Sequence, residues 1–192
     1  MKLNYDYLLI DKKYYGGNQE WFSSIFQRKA GCGPVSASNV IMYESKKHYS
    51  KEEFIKIMED MWNYITPGMM GLNKVEYYND GFSKYIKDNN IKLKESNILK
   101  IAKNKEERPS IKELFEFINK AIELDHPVAF LNLDNGKEKV LDSWHWVTIV
   151  GIEYKDEELI ADIVDEGLLK TINLSLWLNS TTKEGGFIYF EK

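Results

Sequence analysis

The sequence predicts an α+β protein, and three observations predict it. Helical periods and two capping boxes run through the first two-thirds of the chain. From Pro127 onward the apolar pattern changes to strands bounded by turn residues. No internal repeat, low-complexity tract or Pro/Ser-rich linker interrupts the chain, so residues 1–192 read as a single domain. Helices first and an antiparallel sheet second is an α+β arrangement. About 1–125 should form a mainly helical lobe and about 126–192 a sheet lobe.

The first helix is expected from about Pro34 to Lys47, because Pro34 suits a first turn that needs no amide donor. Val35, Ser38, Asn39 and Met42 lie along one side of it, and Ser36, Ala37 and Ser38 invite close approach by a neighbour. Ser50 and Glu53 form a capping box before a stripe of Phe54, Ile57, Met58 and Met61. "TPGMMG" at 66–71 is a loop by composition. A further helix, roughly Lys74 to Lys87, carries Val75, Tyr78, Phe82, Tyr85 and Ile86 at helical spacing, and Ile91 to Lys94 reads as a short strand. The Ser110–Glu113 capping box starts a helix to about Leu124. Then "PVAFLNL", "HWVTIVGIEY", "LIADIV", "KTINLS" and "GGFIYF" read as strands, with "KDEE" as a hairpin turn.

Composition narrows the function classes. The chain is 43% hydrophobic and 14% aromatic, which is globular and not disordered. A net charge of −4 gives no electrostatic reason to bind nucleic acid. Only Arg28 and Arg108 could supply planar, bidentate phosphate recognition. The single cysteine excludes an internal disulfide framework. The longest apolar run near the N-terminus, Leu8 to Ile10, is too short for a signal peptide or a membrane span. A cytoplasmic location and no membrane contact are therefore expected. No metal or cofactor is expected either, since HExxH, paired CxxC and phosphate-loop patterns are absent from the sequence.

The chemistry gathers around Cys32, set between Gly31 and Gly33 where a helix begins. A helix N-terminus stabilises a thiolate through its unsatisfied amides and its dipole. The two glycines are expected to keep the approach path clear and to face substrate. Three histidines could serve as base. His48 lies in a charged run as a solvated cap, and His126 sits in a helix-to-strand turn, exposed or as a local cap. His145 opens the most apolar strand between Trp144 and Trp146, which would shield an ion pair from water. Asp162 and Asp165 both lie on the returning strand but on opposite faces, so only one can orient the imidazole. Asp165, at the strand end, is preferred.

The stretches "QRKAGCGPVSASNVIMY", "HWVTIVGIEY" and "ADIVDEG" resemble papain-like cysteine peptidases, in particular the C39-like branch. The likeness covers about Gln27 to Phe190. The Cys-Gly-Pro, HxVxxxG and Asp segments are its specific parts, and they occur in the family's order. It implies a papain-like fold, with a nucleophile helix in the helical lobe packed on the antiparallel sheet. It also implies Cys32 as nucleophile, His145 as general base and acid, and Asp165 as orienting carboxylate. The family's oxyanion donor is a glutamine before the cysteine. Gln27 is the candidate, five positions ahead where the family usually shows six, and Gln19 is a poorer substitute. The implied reaction is acyl transfer from a peptide or amide substrate through a thioester. Trp144, Trp146 and the 66–71 loop are expected to form the substrate-facing wall. The same residues fit hydrolysis, acyltransferase or transglutaminase-like chemistry, or a peptide-binding module that has lost turnover.

Overall fold

The computed structural model describes every residue of the chain except Met69. In chain order the elements are β1 (Leu9–Ile10), β2 (Tyr14–Tyr15), α1 (Ile25–Ala30), α2 (Cys32–Ser45), α3 (Lys51–Tyr64), α4 (Val75–Asp88) and β3 (Glu95–Ile101). There follow α5 (Ile111–Glu123), β4 (Val128–Asn132), β5 (His145–Lys155), β6 (Glu158–Asp165), β7 (Leu168–Asn173), α6 (Leu174–Ser180) and β8 (Gly185–Glu191). The fold is α+β, as the sequence predicts. Six strands form one antiparallel sheet in the order β3-β8-β4-β5-β6-β7.

Both capping boxes close as expected. Ser50 and Ser110 accept from the backbone N–H of Glu53 and Glu113, and each glutamate accepts from the serine's N–H in return. The sheet is buried on two faces, which explains the unbroken apolar runs of β4 and β8. Val128 and Phe130 of β4, with Phe187 and Tyr189 of β8, pack with Leu114 and Ile118 of α5. Ala129, Leu131, Ile188 and Phe190 instead pack with α4 and with Ala37, Val40 and Ile41 of α2. Helix α2 is therefore central, with Gly33 to Tyr43 buried throughout. The one-sided stripe read from the sequence is too narrow, because sheet and helices enclose this helix from every direction.

Three element assignments need correction. Ile91 to Lys94 is not a strand; the strand is Glu95–Ile101, which pairs with Gly185–Glu191. It is an edge strand with charged, half-exposed residues, so its apolar signal is weak, and it draws sheet from the part of the chain expected to be helical. "KTINLS" ends as a strand at Asn173, whose side chain then caps α6 through the N–H of Leu176. Helix α2 begins at Cys32 itself, two residues before Pro34.

The N-terminus completes the sheet. β5 outlasts β4, whose pairing stops at Ile149. The exposed edge beyond it is covered by the first residues: Leu3 N–H donates to Val150 O at 2.9 Å and Ile152 N–H to Met1 O at 2.7 Å. Both arginines are committed to main-chain carbonyls. Arg28 donates to Phe22 O, and Arg108 to Ala102, Lys103 and Leu178 O. No described helix is long and apolar enough to cross a membrane.

Candidate active site

Two buried contacts bring the cysteine and histidine segments together. Ser36, one turn after Cys32, hydrogen-bonds Thr148, three residues after His145, at 3.1 Å between hydroxyls. One turn further on, Asn39 Nδ2 donates to the same Thr148 hydroxyl at 3.3 Å. Small residues at Ser36 and Ala37 let the helix sit this close to β5. Cys32 and His145 thus emerge side by side at the start of α2 and the start of β5, and both line one slot.

Asp165 joins them. Pairing of Val164 with Thr148 carries the end of β6 alongside the first residues of β5. His145 Nε2 lies 2.7 Å from Asp165 Oδ1, in a buried setting. Asp162 points elsewhere: it accepts from the Tyr5 hydroxyl at 2.7 Å and from Thr171 at 2.9 Å. Lys170, which the sequence reading missed, donates to Asp165 Oδ2 at 2.8 Å and to Glu166 at 2.9 Å. Leu168 pairs with Asp165 across the hairpin. Lys170 follows two residues later on the same face, so strand alternation across the "DEG" turn was its available signal.

Burial alone would push the His145 imidazolium toward the neutral form. Hydrogen bonds to Asp165 and to Cys32, with the negative charge each brings, outweigh that and hold its pKa up, to about 10. Burial likewise opposes the Asp165 charge. Hydrogen bonds and charge from His145 and Lys170 nevertheless hold that carboxyl below its ordinary range.

The two glutamines lie the other way round from the expectation. Gln27 lies on α1 and its amide donates to Glu59 at 2.8 Å, away from the slot, so it does not reach the sulfur's neighbourhood. Gln19 lines the slot with Cys32, His145 and Asp165. Its buried Oε1 has no hydrogen-bond partner among the described residues. The segment that carries it is tied at three points. Gly17 N–H donates to Asn39 Oδ1 at 2.8 Å, Gly167 N–H donates to Gly17 O at 2.9 Å, and Asn18 Nδ2 donates to Glu166 O at 2.9 Å. No local pattern near Cys32 announces this, because the anchors are 22 and about 150 residues away in sequence. Removing the first anchor with Asn39→Ala is expected to cost roughly 1–3 kcal/mol, since it strands a buried amide. A urea titration should show a lower midpoint with an unchanged slope; an unshifted midpoint would count against this anchoring.

The remaining expected site residues divide. Trp144 is half-exposed and lines an open groove of about 400 Å³ that also touches Cys32. Trp146 is a correction. It backs the slot's inner wall but is 3% exposed. Its ring stacks on Tyr78 at 4.5 Å and its indole N–H donates to Leu72 O at 2.6 Å, so it faces the core and not a ligand. Gly31 and Gly33 are also not open faces. A Cβ at Gly31 would lie 2.5 Å from Gln27 O and from the Phe22 ring, and one at Gly33 would lie 2.5 Å from Leu72 Cδ2. Both glycines are needed for close packing around the Cys32 turn. His126, expected exposed or as a local cap, is 4% exposed; its backbone N–H caps Ala121 O at 2.9 Å and its Nδ1 lies 2.6 Å from Glu44, whereas His48 is exposed and stacks on Tyr7. Of the 66–71 loop, Gly68, Met70 and Gly71 line the groove, and Met69 lies outside the described residues.

A sulfur at a helix start, an imidazole held by a carboxylate and an amide side chain beside them are the groups that thiol acyl transfer uses. No protein-family model and no curated protein sequence matches the chain.

Proposed function

We propose that this chain is a papain-like cysteine hydrolase, a peptidase or amidase that works through Cys32, His145 and Asp165. The observation that supports it most is the single slot in which His145, bound on Nε2 by Asp165, leaves Nδ1 for the Cys32 sulfur. In this reading the sulfur attacks the substrate carbonyl carbon, a C–S bond forms, and the carbonyl electron pair moves onto oxygen. The first-turn amide of Cys32, unused inside the helix, and the Gln19 side-chain amide donate to that oxyanion. When the carbonyl re-forms the C–N bond breaks, and His145 gives its proton to the departing amine. Water then gives a proton to His145 and adds to the thioester. The C–S bond breaks, and the sulfur leaves as the thiolate paired with the imidazolium.

The test is the alkylation rate of Cys32 by iodoacetamide from about pH 4 to about pH 9, read by intact mass in the wild type and in His145→Ala. The chain has one cysteine, so each mass shift has one source. Labelling should stay fast well below the ordinary thiol pKa of about 8.5 and slow in the variant. Labelling that follows an ordinary thiol and ignores the substitution would sink the catalytic reading. A peptide-binding module of the same shape would then be the better account.

A further inference from the structure

The slot and the groove share Cys32 alone among their described lining residues. His145 faces the slot and is absent from the groove lining. Because His145 must hand its proton to the leaving group, the leaving group departs on the slot side. The groove therefore receives the acyl part of the substrate.

That groove has a definite character. Phe26, Met70 and Trp144 line it while 55%, 64% and 44% exposed, and Leu72 and Leu133 extend its floor. Large apolar side chains gathered in the open beside a nucleophile mark a binding surface. Trp144 adopts φ +60, a left-handed backbone that a bulky residue rarely holds, immediately before His145. Lys29 is the one charged residue among the described lining, and no acidic side chain accompanies it. Lys183 sits over the Trp144 ring, 4.5 Å from its centroid. Neither lysine forms a salt bridge among the described residues.

Resting on the hydrolase reading above, we propose that the acyl donor is a peptide with a bulky apolar residue at or next to the scissile carbonyl and an acidic residue beside it. The apolar side chain fills the groove between Phe26, Leu133 and Trp144. The carboxylate meets Lys29 and Lys183 at the rim.

Peptidyl acyloxymethyl ketones test this on the intact chain. They alkylate Cys32 by displacing a carboxylate, so intact mass reads binding without needing turnover. Matched probes carry Phe or Gly at the first or second residue from the ketone, each next to Asp or Lys. The best Phe probe should label on the order of 10- to 100-fold faster than its Gly counterpart. Asp should be favoured over Lys by about 5-fold at low salt. Trp144→Ala should shrink the Phe-to-Gly ratio, and Lys29→Glu should reverse the Asp-to-Lys ratio. Equal rates for Phe and Gly probes, or an Asp-to-Lys ratio indifferent to Lys29→Glu, would overturn the proposal. Ratios taken within one variant are independent of its overall reactivity. Iodoacetamide labelling of the same samples keeps a failure of this substrate assignment separate from a failure of the ion pair itself.

Discussion

Asp165→Asn is expected to lower turnover while the chain stays folded. The loss should be far less than the ~10⁴-fold loss of a serine triad, because an imidazolium carries a proton on both nitrogens and has no tautomer to lose. Asp165 fixes the imidazole through Nε2 and supplies negative charge beside the imidazolium. An asparagine keeps the shape and can still accept from the Nε2 N–H, but it removes the charge. Lys170 retains Glu166 as a partner, so no unpaired buried cation is created. The pH profile should move in a definite direction. Removing an anion from beside an imidazolium lowers its pKa, so the alkaline limb of turnover should shift to lower pH. Stability carries the same signature. His145 is raised, so its contribution is complete below its ordinary value of 6.5 and fades as pH climbs toward about 10. Asp165 is depressed, so its contribution is complete above its ordinary value of 3.8 and is lost on acidification. The stability gap between wild type and variant should therefore be widest between those two values and narrow toward pH 10. Urea titrations across that range measure it, and a gap flat with pH would refute the assigned ion pair.

The parts of the fold legible in sequence are those whose signals are local. Ser50 with Glu53 and Ser110 with Glu113 announce their helices because a capping box is a contact across three residues. The β5–β6 hairpin is equally local, with Asp156 and Glu157 both in the left-handed conformation of a tight turn. What escaped depends on distant partners. β3 is a strand only because Gly185–Glu191 lies beside it. α6 is seven residues long and needs Trp177 buried against Phe130 and Phe187 to hold it. The Met1–Leu3 edge exists because β5 overruns β4, a mismatch visible only once both strands are paired.

The site divides along the same line. Cys32, His145 and Asp165 lie at ends of elements whose starts and stops the sequence marks, so their meeting follows from the topology. Alternation shows that Asp162 and Asp165 cannot both face His145, and the place of Asp165 at the strand end is what favours it. The flanking glycines illustrate the opposite case. "GCG" looks like open access, yet whether a glycine faces a substrate or a neighbour depends on what the fold brings, here Phe22 and Leu72. Lys170 belongs to both classes: alternation gives its face, but only the Glu166–Gly167 turn gives its reach to Asp165.

Gln19→Ala should lower turnover by about 10² to 10³-fold, the usual loss for one oxyanion donor, whereas Gln27→Ala should leave turnover nearly unchanged. Proximity in sequence would favour the reverse, since Gln27 is five positions from Cys32 and Gln19 thirteen. The fold inverts that order. Gln27 is drawn off by Glu59 on α3, while Gly17 and Asn18 hang the Gln19 turn between Asn39 and the Glu166–Gly167 corner. The slot between Gln19, Cys32 and His145 has about 10 Å³ of free space, close to the room one water-sized group needs. A substrate carbonyl oxygen fits that room. Because the donor acts on charge that develops during attack, the loss should fall on kcat and leave iodoacetamide labelling of Cys32 largely intact, since that reaction builds no oxyanion. A Gln19→Glu variant places a carboxylate where negative charge must accumulate and should be at least as impaired. If Gln27→Ala proved the damaging substitution, or if Gln19→Ala slowed alkylation as much as turnover, Gln19 would be a packing residue and the oxyanion would have to be held by the Cys32 amide alone.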